Sequence, residues 1–192
     1  GGMMLARAKL TLTLHVTGQR ADGYHLLDSL VVFADLGDIL SLADARGLSL
    51  RARGAYGADV PEGEDNLVLR AARLIGARDV AITLEKRLPV ASGMGGGSAD
   101  AAAALRLLAQ AQGLPLPDRP ALMRLGADLP VCMAAPQPCR MQGLGERVMP
   151  LAGVPGLAMV IANPGVALST PAVFAALERR NNPPMPEELP PW

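Results

Sequence analysis

The stretch "PVASGMGGGSADAAAALRLL", residues 89–108, sets four glycines directly against an alanine-rich run of helix formers. Glycine costs about 1 kcal/mol per helical position relative to alanine, so the two halves have different jobs. One is a backbone that must lie open, and the other is a helix, read here as Ala99 to Leu108, that must begin at a fixed point. Just upstream, "VAITLEK" alternates apolar residues at Val80, Ile82 and Leu84, the pattern of a strand. Strand, glycine loop and helix therefore follow one another.

A phosphate carries several acceptor oxygens and little shape, so convergent backbone amides at the positive end of a helix hold it well. Gly93, Gly95, Gly96 and Gly97 remove side chains that would block such an approach and permit positive φ where amides turn inward. Ser98 is placed to cap the helix or to contact a phosphate oxygen or Mg²⁺. A Walker P-loop is excluded, because Gly97 is followed by Ser98 and Ala99 and not by lysine and a hydroxyl residue. The dinucleotide fingerprint is excluded too, since the sixth position counted from Gly93 is Ser98. On glycine content alone, a flexible loop before a capped helix stays open as a reading.

Composition bounds the rest. Half of the 192 residues are apolar, enough for a packed core, and 18 basic residues balance 18 acidic ones. No general field exists to gather nucleic acid or anionic lipid, so an anion must be bound locally. No apolar run approaches the ~20 residues of a membrane span, and "GGMMLARAKL" lacks the apolar core of a secretory signal, which leads to the expectation of a cytoplasmic protein. Cys132 and Cys139, with six residues between them, match neither a redox pair nor a zinc knuckle and read as buried thiols. Two histidines, His15 and His25, give no basis for a histidine-rich metal site.

Along the chain, Ala8 to Val16 alternates as a half-buried strand, with Lys9, Thr11, Thr13 and His15 on a polar face that reads as solvated surface or the wall of a site. A turn through Gly18 and Gly23 leads to strands in "LLDSLVVFADL" and "GLSLRAR", so a mixed or antiparallel sheet is expected. "EDNLVLRAARLIGA" reads as a helix capped by Asp65, and "DRPALMRLGADLP" as a short helix closing near Gly126. Brief strands reach Leu151, "LAMVIANP" reads as a fresh strand, and "STPAVFAALERR" as a helix capped at Ser169 or Thr170 with Pro171 in its first turn. "NNPPMPEELPPW" has five prolines and reads as an extended tail or linker. The sequence contains no internal repeat.

Together "AKLTLTLHVTGQRADGYH", "EDNL", "LPVASGMGGGSADAA", "LGADLPV" and "NPGVALSTPAVF", in this order, resemble the GHMP small-molecule kinases from about Ala6 to Arg180. "TGQRADGYH" and "PGVALSTPAVF" resemble the branch whose substrate carries a cytidine diphosphate. The resemblance implies an α+β fold of two domains, with residues 1–151 as the ATP-binding domain and 152–192 as the start of an incompletely represented substrate domain. It implies ATP and Mg²⁺ as co-reactants, a small-molecule partner, cytidine diphosphate methylerythritol, phosphorylated on its 2-hydroxyl, and a monomer or homodimer. A catalytically inactive nucleotide-binding remnant, or a kinase for homoserine or mevalonate, are the competing readings.

By the same resemblance, Lys9 and Asp128 fall on the catalytic pair, a base for the alcohol proton and a cation beside it; taken alone, Asp128 in "GADLP" reads as a turn residue. Pro89, Val90, Ala91, Ser92, Gly93, Met94, Gly95, Gly96, Gly97 and Ser98 fall on the ATP loop, with Asn66 and Lys86 on the adenine-side wall. Tyr24, His25 and Phe174, three of the chain's few rings, fall on the cytidine-binding positions, where aromatic faces suit a flat base. Alone, each reads as ordinary packing. Thr11 stands where the family usually has asparagine, which shortens the reach of one active-site contact. The family also continues for roughly another small domain, including a further glycine-rich motif, so the chain is expected to carry only the opening of that part.

Overall fold

A computed structural model describes residues 2–94 and 96–191 of the protein; Gly95, one of the loop glycines, lies outside them. Two long strands, β1 (Met3–Gln19) and β2 (His25–Asp44), pair antiparallel across a turn closed by Arg20 N–H donating to the Tyr24 carbonyl at 2.8 Å. β2 is long enough to serve three partners. β1 lies along one edge, while the other edge pairs first with β5 (Cys139–Gly143) at Leu27–Val31 and then with β4 (Val80–Glu85) at Ile39–Asp44. β3 (Leu48–Arg53) runs parallel to β4, and β6 (Arg147–Pro150) antiparallel to β5. The sheet is thus mixed, as a parallel pair needs a crossover, and the segment holding α1 (Leu67–Leu74) supplies it.

One face of the sheet carries the helices. α2 (Gly96–Gln112) packs on β1, β2 and α1, and its Ala101 to Leu105, Leu107 and Leu108 are all buried. Four consecutive alanines let this helix sit close to the strands, so it is apolar around most of its circumference and reads as a central helix. Leu40, Ile82 and Leu84 of the sheet meet Val68 of α1, Leu105 and Leu108 of α2, and Leu129 and Val131 of α4 (Leu129–Cys132) in one core. Burying each such side chain contributes about 1.5–3 kcal/mol. α3 (Arg119–Leu125) is capped by Asp118 and ends at Gly126, as its sequence predicts. Cys132 and Cys139 are free and buried, and burial pushes the Cys132 thiol up to about 12.

Five local expectations are corrected. α1 begins one residue later, so its cap is Asn66, whose Oδ1 accepts the Val68 N–H at 2.8 Å, and not Asp65. α2 begins at Gly96, which makes Ser98 its third residue and removes it from the capping position. The strand expected in "LAMVIANP" does not form. Among the described residues no strand edge lies beside it to complete a ladder, and Val160 is 97% exposed.

On β1 the polar face does not behave as one: Lys9 is buried, Thr13 and His15 are partly covered and Thr11 is exposed, while Leu12 and Leu14 reach the surface, where register shifts at Arg7/Lys9, Thr11/Thr13 and Val16/Gly18 break the alternation. The proline-rich end is extended as expected but is no linker: it docks on the sheet and buries Met185. Before it, α5 (Thr170–Ala175) starts where predicted, with Ser169 Oγ accepting from Ala172 N–H at 3.3 Å.

Candidate active site

The glycine loop is fastened at both ends by one buried cluster of charges. Lys86, at the end of β4, donates through Nζ to Asp38 Oδ2 at 2.6 Å and to Asp100 Oδ2 at 3.0 Å. The other Asp38 oxygen accepts the Arg87 and Leu88 N–H groups at 2.7 and 2.9 Å. Asp38 therefore ties the entrance of the loop to β2, and Asp100 ties the first turn of α2 to the same lysine. All three side chains are buried, and Asp100 Oδ1 has no partner among the described residues. Burial pushes the Asp100 carboxyl well up, with Lys86 opposing and Asp38 reinforcing, while for Lys86 the two carboxylates outweigh burial and raise its affinity for the proton.

Between these anchors the backbone turns through left-handed conformations at Ala91 (φ 57°) and Gly93 (φ 77°). Met94 is buried against Ala8 and Leu88, and its carbonyl accepts the backbone N–H of Lys9 at 3.1 Å. A Cβ on Gly93 or Gly97 would meet nothing within 4 Å, so open space faces the loop there; on Gly96 it would lie 3.0 Å from Lys86 Nζ. The first-turn amides of α2, at Gly96, Gly97 and Ser98, have no partner within the helix and give this end its positive character. Ser92 Oγ, buried in the loop, has no partner among the described residues either. A cavity of about 130 Å³ opens here, bounded by Val90, Ala91, Gly96 and Gly97 with Asn66, Lys86 and Asp100.

Donor-rich backbone, unpaired polar atoms and an adjacent apolar-walled hollow fit a nucleotide with its phosphates on the helix end. Asn66 lines the hollow but its side chain is already used, Oδ1 on Val68 and Nδ2 donating to the Pro61 carbonyl at 2.7 Å. Pro89 and Val90 form the approach to the loop. A larger hollow, about 580 Å³, lies between Val32–Leu36 and the 154–161 stretch, and none of the candidate site residues lines it.

Lys9 Nζ donates to Asp128 Oδ2 at 2.9 Å, with the lysine side chain 9% exposed and the carboxylate 36%. Asp128 stands at the N-terminal boundary of α4 yet makes no capping bond, so its carboxylate is committed to Lys9 and still reaches solvent. The turn that carries it is held from behind. Gly145, with φ 121°, brings the β5–β6 turn against Ala127, where a Cβ would sit 2.4 Å from the Ala127 carbonyl oxygen. On the other side a Cβ on Gly126 would be 3.9 Å from Ser98 Oγ, which sets Ser98 between the glycine loop and the Asp128 turn. Thr11 follows Lys9 by two residues without a register shift, hence on the same face of β1, and is exposed.

The rings at the remaining positions are brought together in part. His25 and Phe174 stack with centroids 4.6 Å apart and planes inclined by 20°. That spacing is ring against ring, with no thickness for a base between them. His25 Nε2 is buried without a partner among the described residues, and Tyr24 is 66% exposed. A buried unsatisfied nitrogen beside an aromatic face suits the polar edge of a heterocycle.

Sequence reasoning missed Asp38, Asp100, Asp28 and Arg140. Asp38 interrupts the apolar run "DLGDILSL", and Asp100 interrupts an alanine run; those interruptions were the signals available.

The GHMP kinases N terminal domain family matches residues 66–139, which hold the glycine loop and the Asp128 turn. The 4-diphosphocytidyl-2-C-methyl-D-erythritol kinase of Cereibacter sphaeroides is 60% identical over 97% of this chain and 67% of its own. That of Ruegeria pomeroyi is 56% identical over the same shares. A solved 4-(cytidine 5'-diphospho)-2C-methyl-D-erythritol kinase superposes with a TM-score of 0.76 at 33% identity, over 96% of this chain and 68% of that one. A mevalonate kinase of Methanococcus jannaschii, 10% identical with a TM-score of 0.51 over 79% and 56% of the two chains, shares the fold. The chain therefore belongs to the GHMP kinases, which are small-molecule kinases. Within them it belongs to the 4-diphosphocytidyl-2-C-methyl-D-erythritol kinase family, of whose members it spans about two thirds of the length. Among the described residues no helix is long and apolar enough to cross a membrane.

Proposed function

We propose that this protein transfers the γ-phosphate of ATP to the 2-hydroxyl of 4-diphosphocytidyl-2-C-methyl-D-erythritol, a step toward isoprenoid precursors in the non-mevalonate route. The observation that carries this reading is the Lys9–Asp128 pair at 2.9 Å, joined through Lys9's own backbone to the glycine loop at Met94.

In this reading Asp128 accepts the proton of the attacking hydroxyl. Lys9 keeps that carboxylate oriented beside the reacting oxygen and offsets the charge that develops during transfer. The loop from Pro89 to Ser98 and the start of α2 hold the phosphates, and the hollow bounded by Asn66 and Lys86 takes the adenine. Mg²⁺, when bound, neutralises phosphate oxygens. Ser98, in the first turn of α2 beside the glycine loop, is the residue of this chain that would stand nearest to help hold it. Tyr24, His25, Phe174 and Thr11 bind the cytidyl alcohol, and residues 152–192 open the domain that completes its site.

A coupled assay for ADP release tests the proposal in the whole protein. Turnover with the cytidyl alcohol, and at least a hundredfold less with mevalonate or homoserine, is expected. Nucleotide binding by calorimetry with no transfer to the cytidyl alcohol would overturn it.

A further inference from the structure

α5, which presents Phe174 to His25, buries none of its own residues. A helix of six residues without a buried face is not held in place by itself, so its position opposite His25 depends on how the chain is secured nearby. Upstream, residues 152–169 form no regular element and are largely exposed. Downstream the chain is secured firmly.

The fastening centres on Arg140 of β5 and Asp28 of β2, 6% and 1% exposed. Arg140 Nε donates to Asp28 Oδ1 at 2.9 Å and Nη2 to Asp28 Oδ2 at 2.7 Å, a bidentate pair. The rest of the guanidinium is turned on the chain end. Nη2 also donates to the Met185 carbonyl at 2.9 Å, and Nη1 to the Pro186 carbonyl at 2.8 Å and more distantly to that of Glu187 at 3.4 Å. Asp28 Oδ2 in turn accepts the Met185 N–H at 2.9 Å. Three residues before Met185, Asn182 donates to the Val16 carbonyl of β1 through both N–H and Nδ2, at 3.1 and 3.0 Å.

A proline-rich segment has few N–H groups and cannot order itself by a ladder, so this ordering is imposed from the sheet. Asp28 lies three residues after His25 on β2, so the strand that holds one ring also holds the anchor for the segment that follows the other.

We infer that Arg140 and Asp28 are positioning residues for recognition of the alcohol's nucleobase: they bind residues 185–187 to the sheet and thereby hold Phe174 over His25. This rests on the reading of His25 and Phe174 as the base-binding residues. Neither Arg140 nor Asp28 touches the substrate.

The test is kinetic, in the whole protein, on Arg140→Gln, Arg140→Lys and the double variant Asp28→Leu with Arg140→Met. The double variant replaces a buried ion pair by apolar groups and so preserves the sheet while removing every bond to the carbonyls. The expected result is a KM for the cytidyl alcohol raised at least tenfold in Arg140→Gln and in the double variant. KM for ATP and kcat should stay within about twofold, and Arg140→Lys should fall between. Limited proteolysis should show new cleavage between residues 176 and 187. An unchanged cytidyl KM in the double variant, or a parallel rise in both KM values, would overturn the inference, as would unchanged proteolysis. If the unaltered protein does not turn over the cytidyl alcohol, the functional reading fails instead, and proteolysis still decides whether the pair fastens the segment.

Discussion

Lys9 Nζ lies 2.9 Å from Asp128 Oδ2, joining positions 119 residues apart, while the backbone N–H of Lys9 donates to Met94 in the glycine loop at 3.1 Å. One residue of β1 thus touches both the carboxylate proposed to take the proton and the loop proposed to hold the phosphates. The two are kept in register by a strand and not by a flexible side chain alone.

If Asp128 acts in the transition state and not on the bound nucleotide, Asp128→Ala lowers kcat by ~10² or more with ATP affinity nearly unchanged. Steady-state kinetics together with calorimetry on the same protein check this. A variant that loses ATP affinity while keeping its turnover would remove Asp128 from the role.

Gly96→Val has the opposite signature. Its Cβ begins 3.0 Å from Lys86 Nζ and its branches enter the mouth of the loop, so ATP affinity should fall at least tenfold. Calorimetry reads this directly; ATP binding as tight as in the unaltered protein would show that the loop mouth is not where the nucleotide enters.

The two carboxylates on Lys86 are not equivalent. Asp38 satisfies the lysine and two backbone N–H groups, so Asp38→Asn leaves a buried network broken and should cost on the order of 3–5 kcal/mol in urea unfolding. Burial pushes the Asp100 carboxyl well above its ordinary value of 3.8. As its folded form holds the proton more tightly than the unfolded chain, its charge is a liability that grows as pH rises through the folded value. Asp100→Asn should therefore unfold at urea concentrations equal to or above those of the unaltered protein at neutral pH. Equal losses in the two variants would contradict this division.

The Asp28–Arg140 pair has the reverse dependence on pH. Burial pushes the Asp28 carboxyl up, but the Arg140 guanidinium and the Met185 N–H outweigh it and hold it below the ordinary 3.8. Its stabilisation is whole above that ordinary value and is lost as pH falls through the lower folded one. The difference in unfolding free energy between the unaltered protein and Asp28→Asn should be flat from about pH 7 to pH 5 and shrink below pH 4. A difference that shrinks on the alkaline side would place the effect elsewhere.

Local pattern made much of this legible. The strand, loop and helix around Gly93–Gly97, the capped α3 and the start of α5 are written in alternation, caps and prolines; the structure has the strand, α3 and α5 where the pattern predicts them and α2 longer by three residues at its start and four at its end. What the pattern could not carry was pairing at a distance. Three register shifts in β1 turn Lys9 inward and Leu14 outward, and no count of alternating residues reveals a bulge. The strand expected near Met159 failed because a strand needs a neighbour as well as a composition. Asp38, Asp100, Asp28 and Arg140 escaped notice because a buried ion pair has no spacing rule in one dimension. Lys9 and Asp128 were reached by resemblance to a family, and their approach in space is a result of the fold alone.

β2 acts as a ruler. His25 stands at its first residue and Asp38, which fastens the glycine loop, six residues before its end, so the separation of the two proposed reactant wells is marked off in peptide units along one continuous piece of backbone. Either well can be re-lined by substitution, but the gap between them changes only if a residue is added to or deleted from that piece. A single such residue would also flip every side chain beyond it to the opposite face of the sheet.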